Sequence, residues 1–106
     1  MLIYDLDKLE IKEPSPGFKV QYVHSQHMSL AYWSIEAGVV VPEHAHPNEQ
    51  LMTLLEGAFE LSIEDDTTVV SAHHVIVIPA NLSHSGVALT QCRIIDVFHP
   101  VRRDYL

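Results

Sequence analysis

Gly38-Val-Val-Val-Pro-Glu-His44-Ala-His46-Pro-Asn-Glu49-Gln50 is the stretch on which the reading of this chain turns. Residues two apart on an extended strand point to the same side, so His44 and His46 can aim two imidazoles at one point. A neutral ring nitrogen suits a divalent transition metal. Eight histidines in 106 residues make one such pair uninformative alone, so its surroundings carry the weight. If Gln50 opens the next strand, it shares a face with Met52 and Leu54, and a polar amide heading an apolar face needs a partner. That partner is either a backbone group or buried water, or the ion held by the two histidines. Glu49 competes for the role but has the opposite parity, and faces away unless a bulge intervenes. Downstream, Pro79-Ala-Asn81-Leu-Ser-His84 ends one strand, offers Asn81 for a left-handed turn and starts another strand at His84. By itself His84 reads as a hydrogen-bonded core histidine; coupled to the first stretch, it supplies a third imidazole.

The chain has the size of one domain, residues 1–106, with 47% hydrophobic side chains. A formal net charge of −8, with six Lys and Arg, argues against nucleic-acid and anionic-membrane partners, which require a basic footprint. No segment reaches the length of an apolar membrane span, and the start lacks a basic region before a long apolar run, so the expected setting is cytoplasmic. The single cysteine, Cys92, permits no intrachain disulfide and reads as a small buried hydrophobe.

Apolar residues come in short β-branched and aromatic runs broken by turn residues every eight to twelve positions or so, the habit of a β-sandwich or barrel. Phe59, Leu61 and Ile63 alternate with Glu60, Ser62 and Glu64, and Asp65-Asp66-Thr67 turns the chain into a return strand at Thr68 to Ser71. Phe18 to His24 and Met28 to Glu36 are expected strands. Val75 to Ile78 and Arg93 to Phe98 are expected to be buried ones. Pro14-Ser-Pro-Gly17 must be a loop.

Residues 38–57 resemble the first cupin motif, Gly-x5-His-x-His-x3-Glu-x6-Gly, with Gln50 in the Glu slot. Residues 73–88 are similar to the second, Gly-x5-Pro-x-Gly-x2-His-x3-Asn, keeping Pro79 and His84 but replacing the first Gly by His73, the second by Asn81 and the Asn by Ala88. The resemblance implies an all-β, single-domain double-stranded β-helix, a jelly-roll barrel with one metal ion in its mouth, held by His44, His46, Gln50 and His84. Zn, Ni, Fe, Mn or Cu would each suit three imidazoles and an amide. A neutral Gln50 leaves the ion's double charge uncancelled, which favours anion binding and Lewis-acid chemistry over oxidation.

Asp96 lies in the otherwise apolar run Arg93 to Phe98, sharing a face with Ile94 and Phe98. A strand-interior Asp is disfavoured unless paired or functional. It is either an outward carboxylate paired with an arginine, or an inward proton carrier with Phe98 as an apolar wall and Arg102 as a bidentate clamp for a substrate carboxylate. Asp96-Val-Phe-x-Pro-x-Arg102-x-Asp-Tyr105, with Ile78 to Gly86 and Glu49-Gln50, is similar to the KdgF-type pectin-degradation cupins. That likeness implies opening of the ring of 4,5-unsaturated monouronates, from pectin or alginate breakdown, into linear keto acids, with Asp96, Phe98 and Arg102 around a small anionic sugar-acid substrate. It implies no organic cofactor, leaves Arg103 aside on strand parity, and suggests a homodimer in which Leu2, Ile3 and Tyr4 cross to a partner. The competing expectations are a non-catalytic metal-binding cupin that senses a sugar acid, and a small metal-dependent dioxygenase. His24, His27, His73, His74 and His99 read as surface or turn residues, and Tyr22, Tyr32 and Trp33 as wall aromatics.

Overall fold

The computed structural model describes all residues 1–106 as an all-β chain closed by one short 3-10 turn. Ten strands follow one another: β1 (Lys12–Ser15), β2 (Phe18–His24), β3 (Ser29–Ile35), β4 (Val40–His44), β5 (Glu49–Glu56), β6 (Ala58–Ile63), β7 (Asp66–Ser71), β8 (Val75–Ile78), β9 (His84–Ala88) and β10 (Cys92–His99). Two antiparallel sheets result, one of order β1-β2-β3-β10-β5-β8 and one of order β4-β9-β6-β7.

Period-two alternation decides what lies between them. On β3, Ser29, Ala31, Trp33 and Ile35 are buried; on β10, Cys92, Ile94, Asp96 and Phe98; on β5, Gln50, Met52 and Leu54. The facing sheet supplies Phe59, Leu61, Val70 and Ala88. These apolar side chains form the core, and burying each stabilises the fold by roughly 1.5–3 kcal/mol for the larger ones. Gly86 belongs to this packing: a Cβ placed there would lie 2.1 Å from a ring carbon of Phe59.

Three expectations need correcting. Pro14-Ser-Pro-Gly17 is not wholly a loop: Pro14 and Ser15 close the edge strand β1, which tolerates a residue without an N–H, and only Pro16 and Gly17 turn the chain into β2. Val75 to Ile78 is not a buried strand. β8 is an edge strand of the larger sheet, with Ile78 inside while Val75 and Val77 are each more than half exposed, so its unbroken apolar run serves two faces. The hairpin after β6 is also tighter than the Asp65-Asp66-Thr67 pattern suggested. Ile63 pairs directly with Asp66, because Glu64 takes the left-handed conformation (φ 50°) and leaves only Glu64 and Asp65 in the loop.

The register places the polar inward residues at one end of the sandwich. On the smaller sheet, His44, His84 and Ile63 lie in one row across β4, β9 and β6. On the larger, Ser29, Phe98, Gln50 and Ile78 form the end row, and Ala31, Asp96 and Met52 form the row beneath it.

Candidate metal centre and cavity

Between those rows is a cavity of about 280 Å³, lined by nineteen residues of which twelve are hydrophobic. His44, Gln50, His84, Asp96, Phe98 and Arg102 all line it. The chemistry is therefore confined to one end, and the remaining wall is apolar.

His44, His46 and His84 present one ligand atom each, all within 4.8 Å of one another. His44 ends β4, His84 begins β9, and His46 sits in the loop joining β4 to β5. Nδ1 of His44 lies 2.8 Å from the Pro42 carbonyl and Nδ1 of His84 lies 2.9 Å from that of Leu82. A ring N–H donated to a carbonyl leaves Nε2 as a lone pair, the tautomer a metal requires. Gln50 Oε1 is 3.1 Å from Nε2 of His46. Two ligands at right angles on an ion with bonds of about 2.1 Å would be about 3 Å apart, so this spacing suits a shared ion.

Three buried polar atoms lack any partner: Nδ1 of His46, Nε2 of His84 and Oδ1 of Asp96. Such atoms are costly in a fold. His84 and Asp96 line the cavity, so Nε2 and Oδ1 there mark where ligand atoms belong, and the donor set of three neutral imidazoles and an amide oxygen fits a divalent transition metal. Burial depresses the His46 pKa to about 4, helped by the nearby Arg102 cation, and burial also lowers that of His84. Both rings are thus neutral and able to ligate at ordinary pH.

Asp96 points inward. It is not paired with an arginine at an edge: the Trp33 indole N–H donates to its Oδ2 at 2.9 Å. Desolvation raises its pKa to about 7, opposed by the Gln50 amide, the Trp33 indole and the Arg102 charge. Gln50 accordingly has two neighbours: its oxygen lies 3.1 Å from Nε2 of His46, and its side chain helps hold down the pKa of Asp96. A glutamate there would set a second carboxylate against Asp96.

Arg102 is buried and Arg103 exposed, although both lie beyond the last strand, where period-two alternation no longer applies. The Arg102 guanidinium lies over the Phe98 ring at 4.9 Å and the Tyr105 ring at 4.1 Å, and it pairs with Asp104. Its backbone N–H donates to Ser29 Oγ at 2.9 Å, and Ser29 Oγ also meets Nδ1 of His24 at 2.8 Å. Asn48, buried between His46 and Gln50, donates its amide to the Pro100 carbonyl.

Sequence reasoning missed these supports. His24 reads as a surface or turn residue, yet it is half-buried against Ser29. Tyr22, expected as a wall aromatic, lines the cavity with Tyr105 stacked on it at 4.5 Å. No spacing rule announces Ser29, Asn48 or Asp104, although a polar residue on an apolar strand face, as at Ser29 and Trp33-adjacent Asp96, is the signal that was available. Glu49 is exposed, with Gln50 buried beside it. His27, His73, His74 and His99 are exposed, and none of them lines the cavity.

Comparison with known proteins agrees with this architecture. The family described as Cupin domain matches residues 31–98. An uncharacterised protein of Streptomyces coelicolor is 24% identical over 102 residues, covering 94% of this chain and 97% of that one. Among solved structures, KdgF from a Halomonas species superposes with a TM-score of 0.92 at 26% identity, covering 99% of this chain and 100% of that one. An RmlC-like cupin from Shewanella frigidimarina gives the same TM-score at 24% identity, with 97% and 94% covered. With the family match spanning both histidine-bearing stretches, this chain belongs to the cupin domain family.

Proposed function

We propose that the protein converts 4,5-unsaturated monouronates to linear keto uronates by ring opening and ketonisation, with one divalent metal ion as its cofactor. The observation that carries this reading is the meeting of four functions in one small cavity: a three-histidine cluster, the Gln50 amide, a buried Asp96 with a free oxygen, and a caged arginine. The likeness to KdgF over the whole chain supports the choice of substrate.

His44, His46, His84 and Gln50 would hold the ion, which supplies a Lewis acid for the negative charge that develops on the ring oxygen and carboxylate. Arg102 grips the substrate carboxylate, and Phe98 provides an apolar wall against the sugar ring. Oδ1 of Asp96 takes the proton of the anomeric hydroxyl. The bond from the anomeric carbon to the ring oxygen then breaks, the anomeric carbon becomes an aldehyde, and the ring oxygen leaves as an enolate. Return of that same proton from Asp96 to the neighbouring alkene carbon converts the enolate to a ketone, so the net change is an isomerisation. An acid with its pKa near 7 can both accept and return that proton at neutral pH.

The direct test is to mix the zinc- or nickel-loaded protein with an unsaturated monouronate and follow the ultraviolet absorbance of the conjugated alkene. Loss of the absorbance by the wild type, reduced by two to four orders of magnitude or so in Asp96→Asn, supports the enzyme. Tight binding without loss would make the protein a sensor of sugar acids instead. For the assembly, we infer a homodimer through the outer face of the larger sheet, where Val23, Leu30, Val97, Leu51 and Val77 lie in one registered row across five strands.

A further inference from the structure

Arg102 offers five N–H donors in a planar fork, and the fork has two usable edges. Asp104 occupies one of them. Nε donates to Oδ1 at 2.9 Å and Nη2 donates to Oδ2 at 2.5 Å, a side-on bidentate pair. Nη1 has no partner within the protein, although the Arg102 side chain is only 8% exposed and lines the cavity. The unsatisfied edge, Nη1 with the second N–H of Nη2, is therefore the one left for a ligand.

The remaining degrees of freedom are removed from other directions. The rings of Phe98 and Tyr105 lie against the guanidinium, and Ser29 fixes the Arg102 backbone. Rotation of the fork about its long stem is opposed by Asp104 alone among the hydrogen-bonding side chains. Asp104 itself lies in the 3-10 turn Arg103–Tyr105 with a side chain 62% exposed, so it does not belong to the core.

We propose that Asp104 is a positioning residue: it holds the Arg102 fork by its Nε–Nη2 edge so that the Nη1–Nη2 edge meets a ligand carboxylate end-on inside the cavity. This rests on the reading of Arg102 as the carboxylate clamp. Asp104 is then no rival for the clamp, because the two carboxylates take different edges of one guanidinium. It also offsets the arginine charge, so the clamp recognises carboxylate geometry and not merely negative charge.

The test uses the zinc-loaded protein, with galacturonate as a saturated monouronate and galactose as its neutral counterpart, measured by calorimetry. Wild type should prefer galacturonate. Asp104→Asn should weaken galacturonate by about tenfold and leave galactose unchanged, while Asp104→Glu restores most of the difference. With the unsaturated monouronate, the Asn variant should raise KM by about tenfold with kcat nearly unchanged, as loss of uniform substrate binding requires. The ¹⁵N-detected Nε–H resonance of Arg102, sharp and slow to exchange in the wild type, should broaden or exchange rapidly in the Asn variant even without ligand.

Unchanged galacturonate affinity in Asp104→Asn would reduce the contact to an ordinary ion pair and overturn the proposal. Tighter binding would overturn it in the other direction, by making Asp104 a competitor. A wild type with no preference for galacturonate over galactose would remove the clamp altogether. If the preference is present and lost in the Asn variant, but the unsaturated sugar is not consumed, the ring-opening function fails and the positioning role stands.

Discussion

At the scale of single residues, Asp96 is set against stability. Asp96 keeps its proton to about pH 7 in the fold, whereas the unfolded chain loses it near 3.8. The native state therefore holds more protons between those values, and this group's contribution to stability falls as pH rises through 7, by on the order of 4 kcal/mol once the buried carboxylate is ionised. His46 works in the opposite sense. Its pKa is lowered to about 4, so the unfolded chain binds the extra proton first and stability falls as pH drops below about 6.5. Asp96→Asn keeps the acceptor for Trp33 and removes the ionisation, so thermal unfolding of the metal-free variant should occur several degrees above wild type at pH 8.5 and coincide with it near pH 4. A stabilised but inactive variant is the pattern expected where a group is kept for chemistry. Gln50→Glu tests the partner. It places a second carboxylate beside Asp96, so it should tighten zinc binding and move the acid limb of the pH–rate profile upward while lowering turnover at pH 7. Unchanged pH dependence in that variant would separate Gln50 from Asp96.

At the scale of elements, the strands were legible wherever one face was buried and the other wet. β6 shows alternation plainly, and the histidine row of β4 and β9 follows from the spacing within the two motifs. The motif positions where glycine was missing were legible too, as turns: His73 (φ 74°) and Asn81 (φ 68°) adopt the same left-handed backbone as Gly38 (φ 88°) and Gly57 (φ 95°). An exposed histidine there is strained, so His73→Gly should raise unfolding stability by up to about 1 kcal/mol, read as a shift in the urea midpoint at constant slope. Gly86 on β9 has the reverse sensitivity. A methyl group at this position meets the Phe59 ring and the Glu60 carbonyl, so Gly86→Ala should cost about 1–3 kcal/mol and, by shifting the strand that begins with His84, weaken metal binding. What was not legible is the strap from Pro100 to Tyr105. Its position is set by Asn48, Ser29 and Tyr22, residues 52, 73 and 83 positions away from their partners Pro100, Arg102 and Tyr105, and no local pattern encodes such pairings. The same limit explains β8, whose apolar run reads alike whether it is buried on two faces or one.

At the scale of the whole molecule, the two faces of the larger sheet answer different needs. The inner face builds the core and the cavity; the outer one carries the apolar row from Val23 to Val77, with Leu51 44% and Val77 56% exposed. The N-terminal Met1, Leu2, Ile3 and Tyr4 are exposed as well. A chain with net charge −8 gains solubility from repulsion between copies, so association has to come from apolar contact. Such a row can satisfy itself against its own copy across a two-fold axis. In sedimentation velocity the wild type should therefore run as a dimer. Val77→Lys combined with Leu51→Lys should give a monomer that still binds zinc, because neither side chain lines the cavity and both point away from the core. Retention of the dimer in that double variant would move the interface elsewhere. A monomeric wild type would leave the row as an exposed surface, and the apolar N-terminus would require a different explanation.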